Sequence, residues 1–321
     1  MNLVSGAAGA LLVLLVVAEA FEALVLPRRV TRPFRFSRLY YQAAWAAWKG
    51  ASGLVPGSRR ATFLSAFGPL SLIALFAIWA AGLIVGFGLL HRALSAEPVG
   101  LAEALYLSGA TFSTLGYGDV VPAGRAARLL AVVESSTGFG YFAVVIGYLP
   151  VLYQAFSRRE TLISLLDARA GSPPTAGELL RRAPPARGPD SLGPLLAEWE
   201  RWAAELLESH LSYPVLSYYR SQHDNQSWAG ALTAVLDTCA VLLAAVEGAD
   251  GHQARLTFAM ARHAAVDLAL VARIPPLPPQ PDRLPEAELA RLWTVLHQAG
   301  SQTLDQARAA TALAEIGRAH V

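Results

Sequence analysis

The chain has 321 residues, of which 54% are hydrophobic. Its mean hydropathy of +0.38 is high for a soluble protein of this size, so we expect a membrane protein. The formal net charge of +2 gives no reason to expect nucleic-acid binding. The single cysteine, Cys239, excludes an internal disulfide, and we expect it to be a buried apolar residue.

Three apolar segments are long enough to cross a bilayer, which takes about 20 residues of helix. They cover residues 3–25, 61–90 and 129–156. The first segment lacks the basic leading residues of a signal peptide, so we interpret it as a span. Glu19 and Glu22 lie on one face of this segment, and we expect them to snorkel or to pair with nearby arginines.

Basic residues crowd the segment between the first and second spans. They are Arg28, Arg29, Arg32, Arg35, Arg38, Lys49, Arg59 and Arg60. Because short cytoplasmic loops are enriched in Lys and Arg, we predict that this loop is cytoplasmic. The amino terminus and residues 91–125 are then external, and everything after Arg158 is cytoplasmic. Residues 39–48 are aromatic and too short to span, which indicates a helix at the membrane interface.

The external loop contains a short apolar stretch followed by a glycine-rich hexapeptide, within residues 100–122. This stretch is too short to cross the membrane, so we predict that it re-enters. Irregular backbone at membrane depth is tolerated only where it faces protein or a water-filled cavity. Pro98 is expected in the first turn of a short pore helix that ends near Ser113. The alternative is a surface turn, in which Gly and Asp are common.

The hexapeptide resembles the selectivity filter of potassium channels, with Leu in place of the commoner Val. Its residues are Thr114, Leu115, Gly116, Tyr117, Gly118 and Asp119. Over about residues 62–159 the chain is similar to bacterial potassium channels of the two-transmembrane, single-pore-loop family. The resemblance implies a homotetramer in the bilayer, because four filters are needed to surround K+ with rings of backbone carbonyls. It also implies that the Thr114 hydroxyl lies at the inner end, that Tyr117 braces the filter from behind, and that Asp119 lies at its outer mouth.

The same resemblance assigns roles in the third span. Gly138 corresponds to a hinge, Phe142 and Ile146 to cavity-lining residues, and Pro150 to a kink near the inner gate. Gly140 is a competing hinge, and either glycine alternatively permits close helix packing.

Glu134 is the only charged residue in the third span. An intramembrane carboxylate is a functional candidate by default. We expect Glu134 to support the filter by bonding to its backbone, or to face a neighbouring subunit.

The cytoplasmic half begins with residues 160–194, whose Pro and Gly content is typical of a linker. Helical periodicity then predicts a bundle over residues 195–314, with helices at 195–211, 225–246, 252–273 and 285–300. The apolar run 228–246 is interrupted by Asp237, so we expect a buried core helix and not a fourth span. The polar segment 212–228 is either a ligand pocket or a network at helix ends.

These observations predict an all-α membrane protein with three transmembrane helices, a re-entrant pore helix, a filter loop and a helical cytoplasmic domain. The expected divisions are 1–27 (first span), 28–60 (basic loop), 61–159 (pore), 160–194 (linker), 195–314 (helical domain) and 315–321 (a suspected non-native tail resembling translated adapter sequence).

The predicted function is a passive, potassium-selective channel of the inner cell membrane. It is gated by the third span, and a role in gating for the cytoplasmic domain is left open. The alternative is a nonconducting receptor or scaffold on a channel-like fold. We expect no enzyme activity, no cofactor, no nucleic-acid partner and no metal other than the transported K+. A cytoplasmic ligand of unknown identity is also left open.

Overall fold

The computed structural model describes residues 3–26, 35–95, 99–183, 192–246, 251–275, 285–298 and 303–318. Within these ranges the regular secondary structure is helical, apart from an isolated bridge between Val246 and Thr303. It divides into two compact units, Met1–Tyr153 and Gln154–Val321.

The described residues of the first unit form five helices and the start of a sixth. They are α1 (Leu3–Leu24), α2 (Phe36–Ala51), α3 (Gly57–Ser65), α4 (Phe67–Leu94), α5 (Leu101–Phe112) and α6 (Arg125–Ala170), and the division between the units falls within α6. The start of α5 at Leu101 is close to the expected pore helix, whereas Pro98 lies outside the described residues.

Helices α1 and α4 pack along each other through small residues. A Cβ added to Gly9 would lie 2.6 Å from the carbonyl oxygen of Gly86. The Ser5 hydroxyl donates to the Leu89 carbonyl at 3.1 Å. Such small residues let two apolar helices approach closely enough for backbone contact, which stabilises helix pairs in membranes.

The second predicted span, 61–90, is divided in the structure. Helix α3 ends at Ser65 and α4 begins at Phe67, where its buried residues also begin. Helix α3 instead contacts α2, because the Trp48 ring stacks on Phe63 with centroids 4.4 Å apart and its indole N–H donates to the Phe63 carbonyl at 3.0 Å. Trp45 and Trp48 of α2 also contact Phe67 at the start of α4, with centroids 4.9 and 6.0 Å away, so α2, the helix expected at the interface, packs on both sides of the break.

Glu19 is used as a helix cap. Its carboxylate accepts a hydrogen bond at 2.8 Å from the backbone N–H of Ser37, in the first turn of α2. The first N–H groups of a helix lack partners within the helix, and a negative charge there is stabilised by the helix dipole. The carboxylate thus joins α1 to α2, and three of the nearby arginines, Arg28, Arg29 and Arg32, lie outside the described residues.

The second unit is a helical bundle around two tryptophans. Its elements after α6 are α7 (Ala176–Arg182), α8 (Gly193–Ser212), a 3₁₀ helix (Pro214–Tyr218), α9 (Trp228–Ala245), α10 (Gly251–Ala272), α11 (Glu286–Gln298) and α12 (Gln306–Arg318). Trp199 and Trp202 are fully buried, with ring centroids 4.9 Å apart. The predicted helices 195–211, 225–246, 252–273 and 285–300 correspond to α8–α11, whereas α12 was not predicted.

The segment expected to be a linker, 160–194, differs from that expectation over its described part. Ile163 and Leu166 on α6, and Leu179 and Leu180 on α7, are buried in the core of the second unit. Proline and glycine between two short apolar stretches made this region resemble a linker, but the apolar stretches supply core residues. We therefore assign residues 160–183 to the helical unit.

Four of the described helices are long and apolar enough to cross a membrane: α1, α4, α6 and α9. They differ in their burial within the chain. Within an apolar 18-residue stretch of each helix, 61% of α9 is buried inside the protein, but only 11% of α1 and of α6. Helix α9 packs against other helices of the second unit, which favours the prediction of a core helix.

The polar segment after α8 is organised by Arg159 on α6. This arginine is 3% exposed and donates to the carbonyls of Leu216 at 3.1 Å and Tyr219 at 2.8 Å. It also donates to Glu160 at 2.9 Å and to Nε2 of His210 at 3.3 Å. Because a buried guanidinium must be hydrogen-bonded, these contacts are those of a polar network at a helix end.

His210 makes the stability of this network depend on pH. Burial, together with the nearby Arg159 charge, lowers the pKa of His210 from 6.5 to about 4. The unfolded chain therefore binds a proton below about pH 6.5 that the folded chain does not bind until about pH 4. We expect the free energy of unfolding to fall by on the order of 3 kcal/mol as the pH is lowered through this window.

Denaturant unfolding of the whole chain in detergent, followed by tryptophan fluorescence between pH 7.5 and 4, measures this loss. In a His210→Gln variant the unfolding midpoint is expected to depend less steeply on pH. Equal pH dependence in the two proteins would show that His210 does not carry the effect.

Candidate ion pathway

The hexapeptide begins where the C-terminus of α5 is capped. The backbone N–H of Thr114 donates to the Thr111 carbonyl at 3.1 Å, and that of Leu115 donates to the Ala110 carbonyl at 2.8 Å. Thr114 has a φ of 58°, in the left-handed region. A left-handed residue is a common way to end a helix, although for a β-branched residue this conformation is unusual. The chain therefore folds back over the last carbonyls of α5.

Every second residue of the hexapeptide is left-handed. The φ angles are 58° at Thr114, 59° at Gly116 and 79° at Gly118, whereas Leu115 and Tyr117 do not have a positive φ. A Cβ added to either glycine would meet nothing within 4 Å. The requirement for glycine here is therefore conformational, since left-handed backbone is strained for other residues.

The apolar side chains of the hexapeptide are not covered by their own chain. Leu115 is 52% exposed and Tyr117 is 72% exposed. Tyr117 was expected to brace the filter from behind, and the described residues of one chain do not supply the surface for that contact. Large apolar groups left open in this way usually mark an interface.

Asp119 connects the last position of the hexapeptide to α5. Its Oδ2 accepts a hydrogen bond at 2.8 Å from the hydroxyl of Tyr106, on α5. At the other end, the Thr114 hydroxyl donates to the Ser113 carbonyl at 2.7 Å. The Tyr106 contact was not predicted, because a tyrosine within an apolar helix gives no indication of a partner that lies further along the chain.

Glu134 lies in a buried polar cluster shared by three helices. Its Oε2 is 2.8 Å from Nε2 of His91 on α4, and its Oε1 is hydrogen-bonded to the Ser108 hydroxyl on α5. Ser108 also donates to the carbonyl of Ile84 at 2.7 Å. The carboxyl group of Glu134 therefore contacts α4 and α5 of its own chain.

His91 and Ser108 were not predicted as site residues. Sequence reasoning treated His91 as the boundary of a loop and Ser108 as part of an apolar helix. The available signal was that Glu134, a lone carboxyl group in a span, needs polar partners. Which residues supply them depends on the packing of α4, α5 and α6.

Gly138 lies where α6 crosses the end of α5. A Cβ added to it would lie 2.1 Å from the carbonyl oxygen of Phe112, whereas one added to Gly140 would meet nothing within 4 Å. The Phe142 ring lies near that of Phe112, with centroids 5.7 Å apart. The contacts at Gly138 are therefore those of close helix packing.

The other residues expected at the cavity and gate lie further along α6. Ile146 is 70% exposed. Pro150 lies inside the helix, which continues to Ala170.

Comparison with known proteins matches residues 72–154 to the family described as ion channel. This stretch contains most of α4, all of α5, the hexapeptide and the first part of α6. The uncharacterized membrane protein YdjJ of Bacillus subtilis (strain 168) is 25% identical over 203 residues. The alignment covers 61% of this chain and 58% of that protein, so it spans little more than half of the relative. No solved structure matches the chain.

The matched residues are those that build the capped end of α5, the left-handed hexapeptide and the crossing at Gly138. Residues 72–154 of this membrane protein are thus similar to the ion channel family.

Proposed function

We propose that four copies of this chain form a potassium-selective channel, with Thr114–Asp119 as the selectivity filter. The observation that carries the proposal is the hexapeptide, with left-handed backbone at Thr114, Gly116 and Gly118 directly after the capped end of α5. Alternating backbone handedness turns successive carbonyls toward one side of a chain. Four such chains around an axis would replace the water shell of K+ with carbonyl oxygens.

The uncovered apolar residues support assembly. Leu115 and Tyr117 of the filter are exposed in one chain, as are Val132 and Phe139 on α6. One hexapeptide cannot surround an ion, so neighbouring copies are needed both to complete the ring and to cover these side chains. In this arrangement Tyr117 would be braced by a neighbouring copy.

We place the gate on α6. Ile146, Phe142 and Pro150 are proposed to line the cavity and the inner mouth, and the second unit is proposed to assemble or gate the pore. The orientation with external filter and cytoplasmic second unit rests on the basic loop between the first two spans. An inner cell membrane location belongs to the same proposal.

The glycine requirement of the filter is tested by substituting Gly116 with alanine. There is room for the methyl group, but alanine at a φ of 59° costs roughly 1–2 kcal/mol in each copy. We expect selective potassium flux into liposomes to fall by about tenfold or more. Gly100→Ala is the matched control, because Gly100 also has open space around it and a φ of −61°.

Flux of potassium against sodium is measured for the wild type and both variants. Equal loss in the two variants would contradict the conformational requirement at Gly116. A wild type that conducts sodium as readily as potassium would refute the proposed filter.

A second pair of glycine-to-alanine variants tests whether Gly138 and Gly140 on α6 serve helix packing or act as a hinge. Gly138→Ala would force the helix away from the Phe112 carbonyl, and overpacking of this kind costs about 1–3 kcal/mol. Gly140→Ala adds the same methyl group to open space. We expect the first variant to lower the melting temperature of the assembly in detergent and the second to leave it unchanged.

Flux then tests the hinge. If Gly140 is the hinge, Gly140→Ala reduces flux without a change in melting temperature. If Gly138→Ala melts like the wild type, the close approach to Phe112 is not required for stability.

A further inference from the structure

Helix α5 holds both ends of the hexapeptide. Near its start, the backbone N–H of Leu115 donates to the Ala110 carbonyl at 2.8 Å. At its last position, Asp119 accepts a hydrogen bond from the Tyr106 hydroxyl at 2.8 Å. The hexapeptide is therefore attached to α5 at two points four residues apart, and its position follows that of the helix.

Ser108 lies midway between these two attachment points and is 0% exposed. Its hydroxyl contacts two other helices at once, through the Ile84 carbonyl on α4 at 2.7 Å and through Oε1 of Glu134 on α6. Glu134 in turn lies 2.8 Å from Nε2 of His91 on α4. Because hydrogen bonds are directional, these contacts restrict both the rotation of α5 and its position along its neighbours.

A steric contact one turn further along repeats the alignment of α5 with α6. Phe112 lies four residues after Ser108, and Gly138 lies four residues after Glu134. The close approach of Gly138 to the Phe112 carbonyl therefore pairs the next turn of α5 with the next turn of α6. A slip of α5 by one residue, about 1.5 Å along the helix, would break the polar and the steric contact together.

The alignment of α5 with α4 is also made twice, with the two helices running in opposite directions. Gly88 lies four residues after Ile84, and Ala104 lies four residues before Ser108. A Cβ added to Gly88 would lie 3.3 Å from the Ala104 carbonyl oxygen, so the two backbones approach closely here. Ser108 thus belongs to both alignments, the one with α4 and the one with α6.

We propose that Ser108 is a positioning residue of the filter, which sets the rotation and position of α5 through Ile84 and Glu134. Discrimination by a filter depends on where its carbonyl oxygens lie around the ion, so a displacement of α5 reduces it. The glycine contacts limit how closely the helices approach, whereas the polar cluster supplies direction. This inference rests on the proposed channel function, and it does not depend on which atom of the cluster carries each proton.

The ratio of potassium to sodium flux into liposomes tests the inference in Ser108→Ala. The substitution leaves a buried oxygen of Glu134 without this partner, and we expect the flux ratio to fall by about fivefold or more. Ser71→Ala is the matched control. Ser71 on α4 is 5% exposed, and its hydroxyl bonds within its own helix, to the Gly68 carbonyl at 3.0 Å. We expect this control to keep the flux ratio of the wild type.

A variant with an apolar cluster separates positioning from stability. It combines Ser108→Ala, Glu134→Met and His91→Leu, so that all three polar side chains are removed together. Replacing a hydrogen-bonded set by apolar groups of similar size is often nearly neutral for stability. We expect the triple variant to melt within a few degrees of the wild type and to lose discrimination as Ser108→Ala does. A triple variant that keeps the flux ratio of the wild type would overturn the inference.

Glu134→Gln is the conservative variant. The amide oxygen can accept from Ser108 and the amide nitrogen can donate to His91, so both contacts are retained. We expect a flux ratio within about twofold of the wild type. A loss as large as that in Ser108→Ala would contradict the inference, because discrimination would then depend on the carboxyl group itself and not on the contacts.

Melting temperatures of all these proteins in detergent complete the test. A lower melting temperature in Ser108→Ala with an unchanged flux ratio would confine Ser108 to a role in stability and overturn the inference. If Ser108→Ala does not assemble, the flux ratio of the triple variant decides. A wild type that does not prefer potassium to sodium would instead refute the proposed filter, and the inference would fall with it.

Discussion

Helix α5 ends inside the first unit, and its last carbonyls must find partners. Helix termini leave such groups unsatisfied, and here the Ala110 carbonyl accepts from the backbone of Leu115 in the hexapeptide. That fold-back requires left-handed backbone at Thr114, and the same handedness recurs at Gly116 and Gly118. The Phe112 carbonyl at this end is also the atom that Gly138 of α6 approaches. The geometry of the proposed filter and the packing of α6 thus both follow from how one short helix terminates.

Polar residues within apolar segments join separate elements in both units. Glu19 on α1 caps the first turn of α2, and Glu134 on α6 joins the cluster that reaches α4 and α5. In the second unit, Arg159 binds the carbonyls that follow the 3₁₀ helix. Burial of each group is offset only by complete hydrogen bonding, so each specifies one arrangement of its neighbours. Apolar packing alone tolerates alternatives more readily.

Close packing at small residues has the same effect by steric means. Gly9 against Gly86, and Gly138 against Phe112, bring backbones together at positions where a methyl group would clash. Gly140, two residues further along α6, has open space around it. Two glycines that are indistinguishable by type therefore differ in what each residue faces.

The sequence by itself determined the helical class, the apolar segments and the hexapeptide, because hydropathy, helical period and left-handed glycine are local properties of the chain. The tertiary structure alone decided the interruption between α3 and α4, the inclusion of residues 160–183 in the helical unit, and helix α12. It also decided that the partners of Glu134 are His91 and Ser108. These features depend on contacts between residues far apart in the chain, and a buried hydrogen bond or a backbone clash is specified only when both sides are in place.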